Sequence, residues 1–123
     1  MYEVTIIDHF AAAHQLRWIK GGCENLHGHN WKVEVTAAGK GLGRDGLLVD
    51  FREVKRETKA VIDGLDHKFL NDLKAFESME PSSENIARYI FDSLSERLHM
   101  DNVQIVRVTT WESDSACATY WRD

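Results

Sequence analysis

From His27 the chain alternates strictly: His27, His29, Trp31, Val33 and Val35 fall on one parity, and Gly28, Asn30, Lys32, Glu34 and Thr36 on the other. A two-residue period marks a half-buried β-strand, whose successive side chains point to opposite faces. The pattern predicts a strand over residues 27 to 37, with both histidines projecting the same way, about 7 Å apart, where the apolar face begins. Residues 2 to 14 are rich in β-branched and aromatic types and predict a first strand. On it His14 shares parity with Val4, Ile6, Phe10 and Ala12, and His9 with Thr5 and Ile7. A hairpin of these two strands would set His14 beside His27 and His29. Its connection, residues 15 to 26, is long for a hairpin, as functional loops often are.

The pattern then changes period. Residues 39 to 47 are rich in glycine and predict turns, after which Asp50 and Glu53 make a capping pair for a helix. Its apolar positions are Phe51, Val54, Val61, Ile62 and Leu65, and Gly64 marks its end. A second turn region runs to Pro81. A further helix starts at Ser82 or Ser83, buries Ile86, Ala87, Ile90, Phe91, Leu94 and Leu98, and ends near His99. Val103 to Glu112 and Ala116 to Trp121, joined by Ser113-Asp114-Ser115, predict a closing hairpin. The order ββααββ is an α+β arrangement in which two helices cover one face of an antiparallel sheet. A single domain over residues 1–123 is expected.

Composition narrows the function. With a formal net charge of -5 and both signs interspersed, the chain presents no basic surface for nucleic acid or an anionic membrane. No apolar run approaches the ~20 residues of a membrane-spanning helix, and no basic segment followed by a hydrophobic one opens the chain. A cytoplasmic protein is expected. Of the two cysteines, Cys117 lies between alanines in a short apolar strand and reads as a small buried hydrophobe. Cys23 has exposed, histidine-rich surroundings that suit a reactive thiol. A disulfide is not expected in a reducing compartment.

The chemistry centres on His14, His27 and His29. Three neutral imidazoles with an open fourth position are the usual arrangement for catalytic zinc; the bland alternative, a polar residue at a strand end, suits one histidine better than three converging ones. Cys23 could fill the fourth position and close the site, or lie beside the metal as a thiolate base. Asp66-His67 could order and charge an imidazole, or merely cap a turn. Glu112, on the parity of Val106, Val108 and Thr110, could point inward and accept hydrogen bonds from a guanidine-like ring edge, or lie exposed in a turn.

Taken together, these residues closely resemble the family of 6-pyruvoyl-tetrahydropterin and 6-carboxy-tetrahydropterin synthases along essentially the whole chain. The matching stretches are Phe10-Ala11-Ala12-Ala13-His14, Cys23-x-x-x-His27-Gly28-His29-Asn30, Val49-Asp50-Phe51, Leu65-Asp66-His67, Ser82-Ser83-Glu84-Asn85 and Trp111-Glu112. The resemblance implies the tunnelling fold, in which trimers close a twelve-stranded barrel and two trimers stack into a homo-hexamer with active sites between subunits. It implies Zn2+ on His14, His27 and His29, Cys23 as proton acceptor, and Asp66 and His67 tuning or relaying protons. Glu112 would anchor the pterin, helped by Ser82 and Ser83. The implied substrate is 7,8-dihydroneopterin triphosphate, with Arg17 and Lys20 as phosphate contacts or, more simply, solvated loop charges.

Within the family, the three residues between Cys23 and His27 resemble the bacterial 6-carboxy-tetrahydropterin synthases of queuosine and deazapurine synthesis, which release acetaldehyde and triphosphate. Animal pyruvoyl enzymes have a longer spacing. Glu24 departs from the simplest form of that motif and resembles relatives that cleave the side chain to 6-hydroxymethyl-dihydropterin for folate synthesis. A pterin- or purine-binding module without turnover is the non-enzymatic alternative; Cys23, Asp66 and His67 together favour catalysis.

Overall fold

The computed structural model describes residues 1–18 and 24–122. Strands β1 (Tyr2–His14) and β2 (His27–Gly39) form the predicted hairpin. Helix α1 spans Phe51–Asp63, a two-residue strand β3 covers Lys68–Phe69, and helix α2 spans Ser83–Arg97. Strands β4 (Val103–Ser113) and β5 (Ala116–Trp121) close the chain. The sheet order is β3-β1-β2-β4-β5. Every pairing is antiparallel except β3 on β1, so a short parallel edge strand joins the four strands that the pattern predicts.

Both helices lie on one sheet face, α1 against β1 and α2 against β4 and β5. Ile6, Phe10 and Ala12 from β1 meet Trp31, Val33 and Val35 from β2 and Val108 from β4, the alternation that the sequence carries. Val54, Val61 and Ile62 of α1 and Ile86, Ala87, Ile90, Phe91 and Leu94 of α2 complete this core. Asp50 caps α1 by accepting from the Arg52 N–H, and Ser82 caps α2 by accepting from the Asn85 N–H. The opposite sheet face is polar. It carries the pairs Thr5–Thr36 and Thr109–Thr119, and a bidentate Glu3–Arg107 ion pair.

Three expectations are corrected. Phe51 is half exposed at the first position of α1, and the buried stripe begins one turn later at Val54. Cys117 is exposed, because Tyr120 packs on Phe91 and so turns Ala118 and Tyr120 toward α2, leaving Cys117 and Thr119 on the open face. Val106 does not share the inward face of Val108 and Thr110: Thr36 pairs with Arg107 but Ala37 with Ile105, so β4 carries an extra residue at Val106. This bulge lets Val103 and Ile105 on one side of it, and Val108 and Thr110 on the other, all face the helices.

The hairpin's far end is tightly set. A Cβ built on Gly39 would stand 2.4 Å from the Asn102 carbonyl oxygen and 2.9 Å from Leu48 Cδ1, whereas one on Gly41 would meet nothing within 4 Å. Gly39→Ala is therefore expected to lower stability by roughly 1–3 kcal/mol through overpacking, and Gly41→Ala to leave it unchanged or slightly raised. Urea midpoints at constant slope measure both.

Candidate metal centre and active site

The hairpin register is what assembles the histidines. His14 lies directly across from His27, and Ala12 across from His29, so three imidazoles share the helix-facing side where the sheet ends. Their ring centroids are 4.5 to 5.1 Å apart and meet edge to face. The fully buried Trp31 forms the floor, 5.1 Å from the His14 ring and 5.3 Å from that of His29, with its indole N–H donating to the Ala12 carbonyl. His14 is only 2% exposed, while His27 and His29 open toward solvent.

Backbone carbonyls fix two of these rings. His14 Nδ1 is 2.7 Å from the Pro81 oxygen, and His27 Nδ1 is 2.8 Å from the Asn25 oxygen. A carbonyl only accepts, so each Nδ1 carries a proton and each ring turns its Nε2 inward. Those two Nε2 atoms are 2.9 Å apart. His29 Nε2 is buried without a hydrogen-bond partner, although Glu112 Oε1 lies 2.9 Å away out of bonding geometry. Burial lowers the His29 pKa, against an opposing pull from Glu112, and favours the neutral, ligating form.

Glu112 brings its carboxylate into the same cluster. Oε1 is 3.1 Å from His14 Nε2, 2.9 Å from His29 Nε2 and 3.6 Å from His27 Nε2. It arrives there from a second bulge: Trp111 pairs with Cys117 but Ser113 with Ala116, so Glu112 is the extra residue. Four inward donors in one place repel one another unless they share a cation. A proton on one Nε2 serves a single acceptor in line, whereas a divalent ion serves all four. One donor atom from each of the four residues lies within 4.8 Å of the others, and the set of nitrogens and one carboxylate oxygen suits zinc. His14, His27, His29 and Glu112 could thus hold a metal ion.

Other expected site residues are placed differently. Asp66 and His67 lie beyond α1 at the β1 edge, where Asp66 Oδ1 accepts from the Ala11 N–H at 2.9 Å and the His67 N–H donates to the Ala11 carbonyl at 2.5 Å. His67 Nδ1 is 3.0 Å from Asp66 Oδ2, its side chain is 82% exposed, and its backbone sits at φ 58, a left-handed conformation uncommon outside glycine. His67 lines a shallow depression of about 490 Å3 with Ala11, Ala12, Ala13, Gly28, His29 and Asn30 at the end of the hairpin. The pair thus sits at the edge of β1 that β2 does not cover. Cys23 and Lys20 lie outside the described residues. Ser82 uses its hydroxyl oxygen to cap α2, and the Ser83 carbonyl accepts from Thr110.

Arg17 and Trp18, just after β1, are clamped. Arg17 donates to the carbonyls of Phe76 and Met79 and to Glu80, which also accepts from the Arg17 and Trp18 N–H groups. Arg17 is thus a strut between two loops and not a solvated charge. At the other end Glu24 Oε1 accepts from the Leu16 N–H and lies 3.8 Å from His27 Nε2. Asn71 pairs its amide with both backbone groups of Gln15, whose own side chain holds the Glu24 carbonyl. These positioning contacts, like the Pro81 and Asn25 carbonyls, have no signature in residue type or spacing; Glu112 as part of the histidine cluster was findable only from its parity.

The Ala11 N–H holds the Asp66 carboxyl below the usual carboxylate range, with a smaller contribution from His67. The folded pKa being depressed, this stabilisation is present above the unfolded value and is lost as pH falls through the folded one. Asp66→Asn is expected to be less stable than the parent at neutral pH, with the gap closing in acid. Thermal melts across that range read it directly.

The pattern of the family described as 6-pyruvoyl tetrahydropterin synthase matches residues 3–123. A 6-carboxy-5,6,7,8-tetrahydropterin synthase of Synechocystis is 39% identical over 92 residues, which is 71% of this chain and 70% of the relative. A dihydroneopterin monophosphate aldolase of Pyrococcus furiosus is 32% identical over 108 residues, 85% of this chain and 84% of the relative. The structure of the 6-pyruvoyl tetrahydropterin synthase of Caenorhabditis elegans superposes with a TM-score of 0.84 at 28% identity, covering 100% of this chain and 98% of that one. The subunit has the tunnelling fold, and the chain belongs to the 6-pyruvoyl tetrahydropterin synthase family.

Proposed function

We propose that the protein is a zinc-dependent 6-carboxy-5,6,7,8-tetrahydropterin synthase of queuosine and 7-deazapurine synthesis. It converts 7,8-dihydroneopterin triphosphate, with uptake of water, into 6-carboxytetrahydropterin, acetaldehyde and triphosphate. The observation that carries this reading is the convergence of the Nε2 atoms of His14 and His27, each ring fixed by a backbone carbonyl, beside the unpartnered His29 Nε2. With Glu112 these atoms make a donor set that one divalent cation would satisfy more fully than the hydrogen bonds His14 Nε2 can offer to His27 and Glu112. Zinc held there supplies a Lewis acid for the substrate's side-chain hydroxyls.

The chain's own residues do the remainder. Glu112 accepts from the amino-pyrimidine edge of the pterin, with Ser82 and Ser83 at the head of α2 beside it. Cys23 removes the proton from the side-chain carbon as a thiolate. Asp66 and His67 serve the site of a neighbouring subunit, which fits their place at the edge of β1 and the exposure of His67. Two stacked trimers, each closing a twelve-stranded barrel, satisfy that geometry, and the polar pairs of the open face would then line the barrel. The whole chain acts as one domain in the cytoplasm; no helix among the described residues is long and apolar enough to cross a membrane.

A second reading is cleavage of the side chain to 6-hydroxymethyl-dihydropterin. It is favoured by Glu24, whose carboxylate lies 3.8 Å from His27 Nε2 and could act as a second base, and by the similarity to the Pyrococcus aldolase.

Mass-spectrometric product analysis with zinc-loaded protein and 7,8-dihydroneopterin triphosphate tests the assignment. Carboxytetrahydropterin with acetaldehyde is expected; hydroxymethyl-dihydropterin alone would replace the first reading by the second, and a pyruvoyl product would reassign the chain within its family. Cys23→Ala should keep its zinc and pterin affinity while turnover falls roughly 10²–10⁴-fold, the contribution of a positioned base. Pterin binding with no turnover by the parent chain would instead show a binding module.

A further inference from the structure

Glu112 is asked to do two things at once. As the pterin anchor it must offer its carboxylate to the substrate's amino-pyrimidine edge, yet Oε1 stands 2.9, 3.1 and 3.6 Å from the three Nε2 atoms. Bonds of about 2.0–2.2 Å to a tetrahedral zinc put neighbouring donors roughly 3.3–3.5 Å apart, so the carboxylate lies near the fourth corner of such a site, within about half an ångström of the ideal separations. It does not reach there by chance of a flexible side chain. The extra residue in β4 relative to β5 is Glu112 itself, and bulges re-aim side chains in this way beside active sites. A single hydrogen bond from His14 Nε2 to Oε1 accounts for one of these three approaches, and the other two imidazoles converge on the same oxygen without one.

We infer that Glu112 is a displaceable fourth metal ligand: it closes the site while no pterin is bound, and the arriving pterin draws it off. A site with four protein donors is closed, whereas a catalytic one keeps a position for substrate. The exchange links the two states. A guanidine-like ring edge presents two parallel N–H donors that match a carboxylate, and the Glu112 carboxylate engaged by them leaves the metal's fourth position to the substrate's side-chain oxygens. The opening of the metal is thereby coupled to the presence of a pterin ring, which keeps water and stray hydroxyl compounds from being activated when none is bound. This inference rests on the proposed function for the pterin's identity, but the ligand exchange is a property of Glu112 that can be read without turnover.

The test uses the full chain, freed of metal by chelation and loaded with Co2+, whose visible spectrum reports coordination number and donor type. Neopterin, fully oxidised and lacking phosphate, serves as the pterin probe. The free parent protein should give the spectrum of a four-donor site, and Glu112→Gln should change that spectrum and weaken Co2+ binding roughly tenfold or more. Neopterin should move the parent's spectrum toward that of the variant and leave the variant's own spectrum nearly still. Glu112→Asp, whose shorter carboxylate withdraws from the imidazoles, should behave as Glu112→Gln does, and far-ultraviolet circular dichroism confirms that each variant is folded. Identical free spectra and Co2+ affinities in the parent and both variants overturn the exchange while leaving the proposed function intact. A parent chain that takes up no Co2+, or takes it up but binds no neopterin, overturns the proposed function and the exchange with it.

Discussion

The register of one antiparallel hairpin carries the site. Because His14 faces His27 and Ala12 faces His29 across β1 and β2, a slip of one residue would send the imidazoles to opposite sides of the sheet and dismantle the cluster. What holds the register is the apolar face itself: Ile6, Phe10 and Ala12 must lie with Trp31, Val33 and Val35 beneath the helices. Core packing and site assembly are therefore one constraint. The Trp31 ring, stacked at 5.8 Å on Phe10 and edge-on to two histidines, is where the two meet.

Around that hairpin, other elements deliver single atoms. The turn before α2 supplies the Pro81 carbonyl to His14, and the Arg17–Glu80 strut ties that turn to the end of β1. A bulge in β4 supplies Glu112. Asp66 and His67 are stitched to Ala11 at the outer edge of β1, so one strand carries His14 of the histidine cluster and also holds the Asp66-His67 pair. Such a strand suits an assembly whose sites form between copies of the chain.

The sequence was legible where a period governs structure. The long strands, both helices with their Asp50 and Ser82 caps, and the meeting of His14 with His27 and His29 all follow from alternation and capping chemistry. Legibility fails where one residue changes the count. The bulge at Val106 shifts the parity of β4, which a strict two-residue rule cannot register, so parity misplaces Val106 but not Glu112, counted from Val108 and Thr110. Two-residue β3 is too short to have a period. Cys117 was assigned by the apolar character of its neighbours, but in an edge strand the face is decided by the one large side chain, Tyr120, that reaches the core. The carbonyls that orient His14 and His27 leave no trace in residue type at all.

The proposed function requires a metal held by imidazole nitrogens with a carboxylate, and a Cys23 thiolate that stays off the metal to act as base. X-ray absorption at the zinc edge of the zinc-loaded protein examines that donor set directly. The account predicts only nitrogen and oxygen scatterers at about 2.0–2.2 Å, with the multiple scattering of three imidazoles. A sulfur scatterer at about 2.3 Å would make Cys23 a ligand, close the site and contradict its assignment as the base.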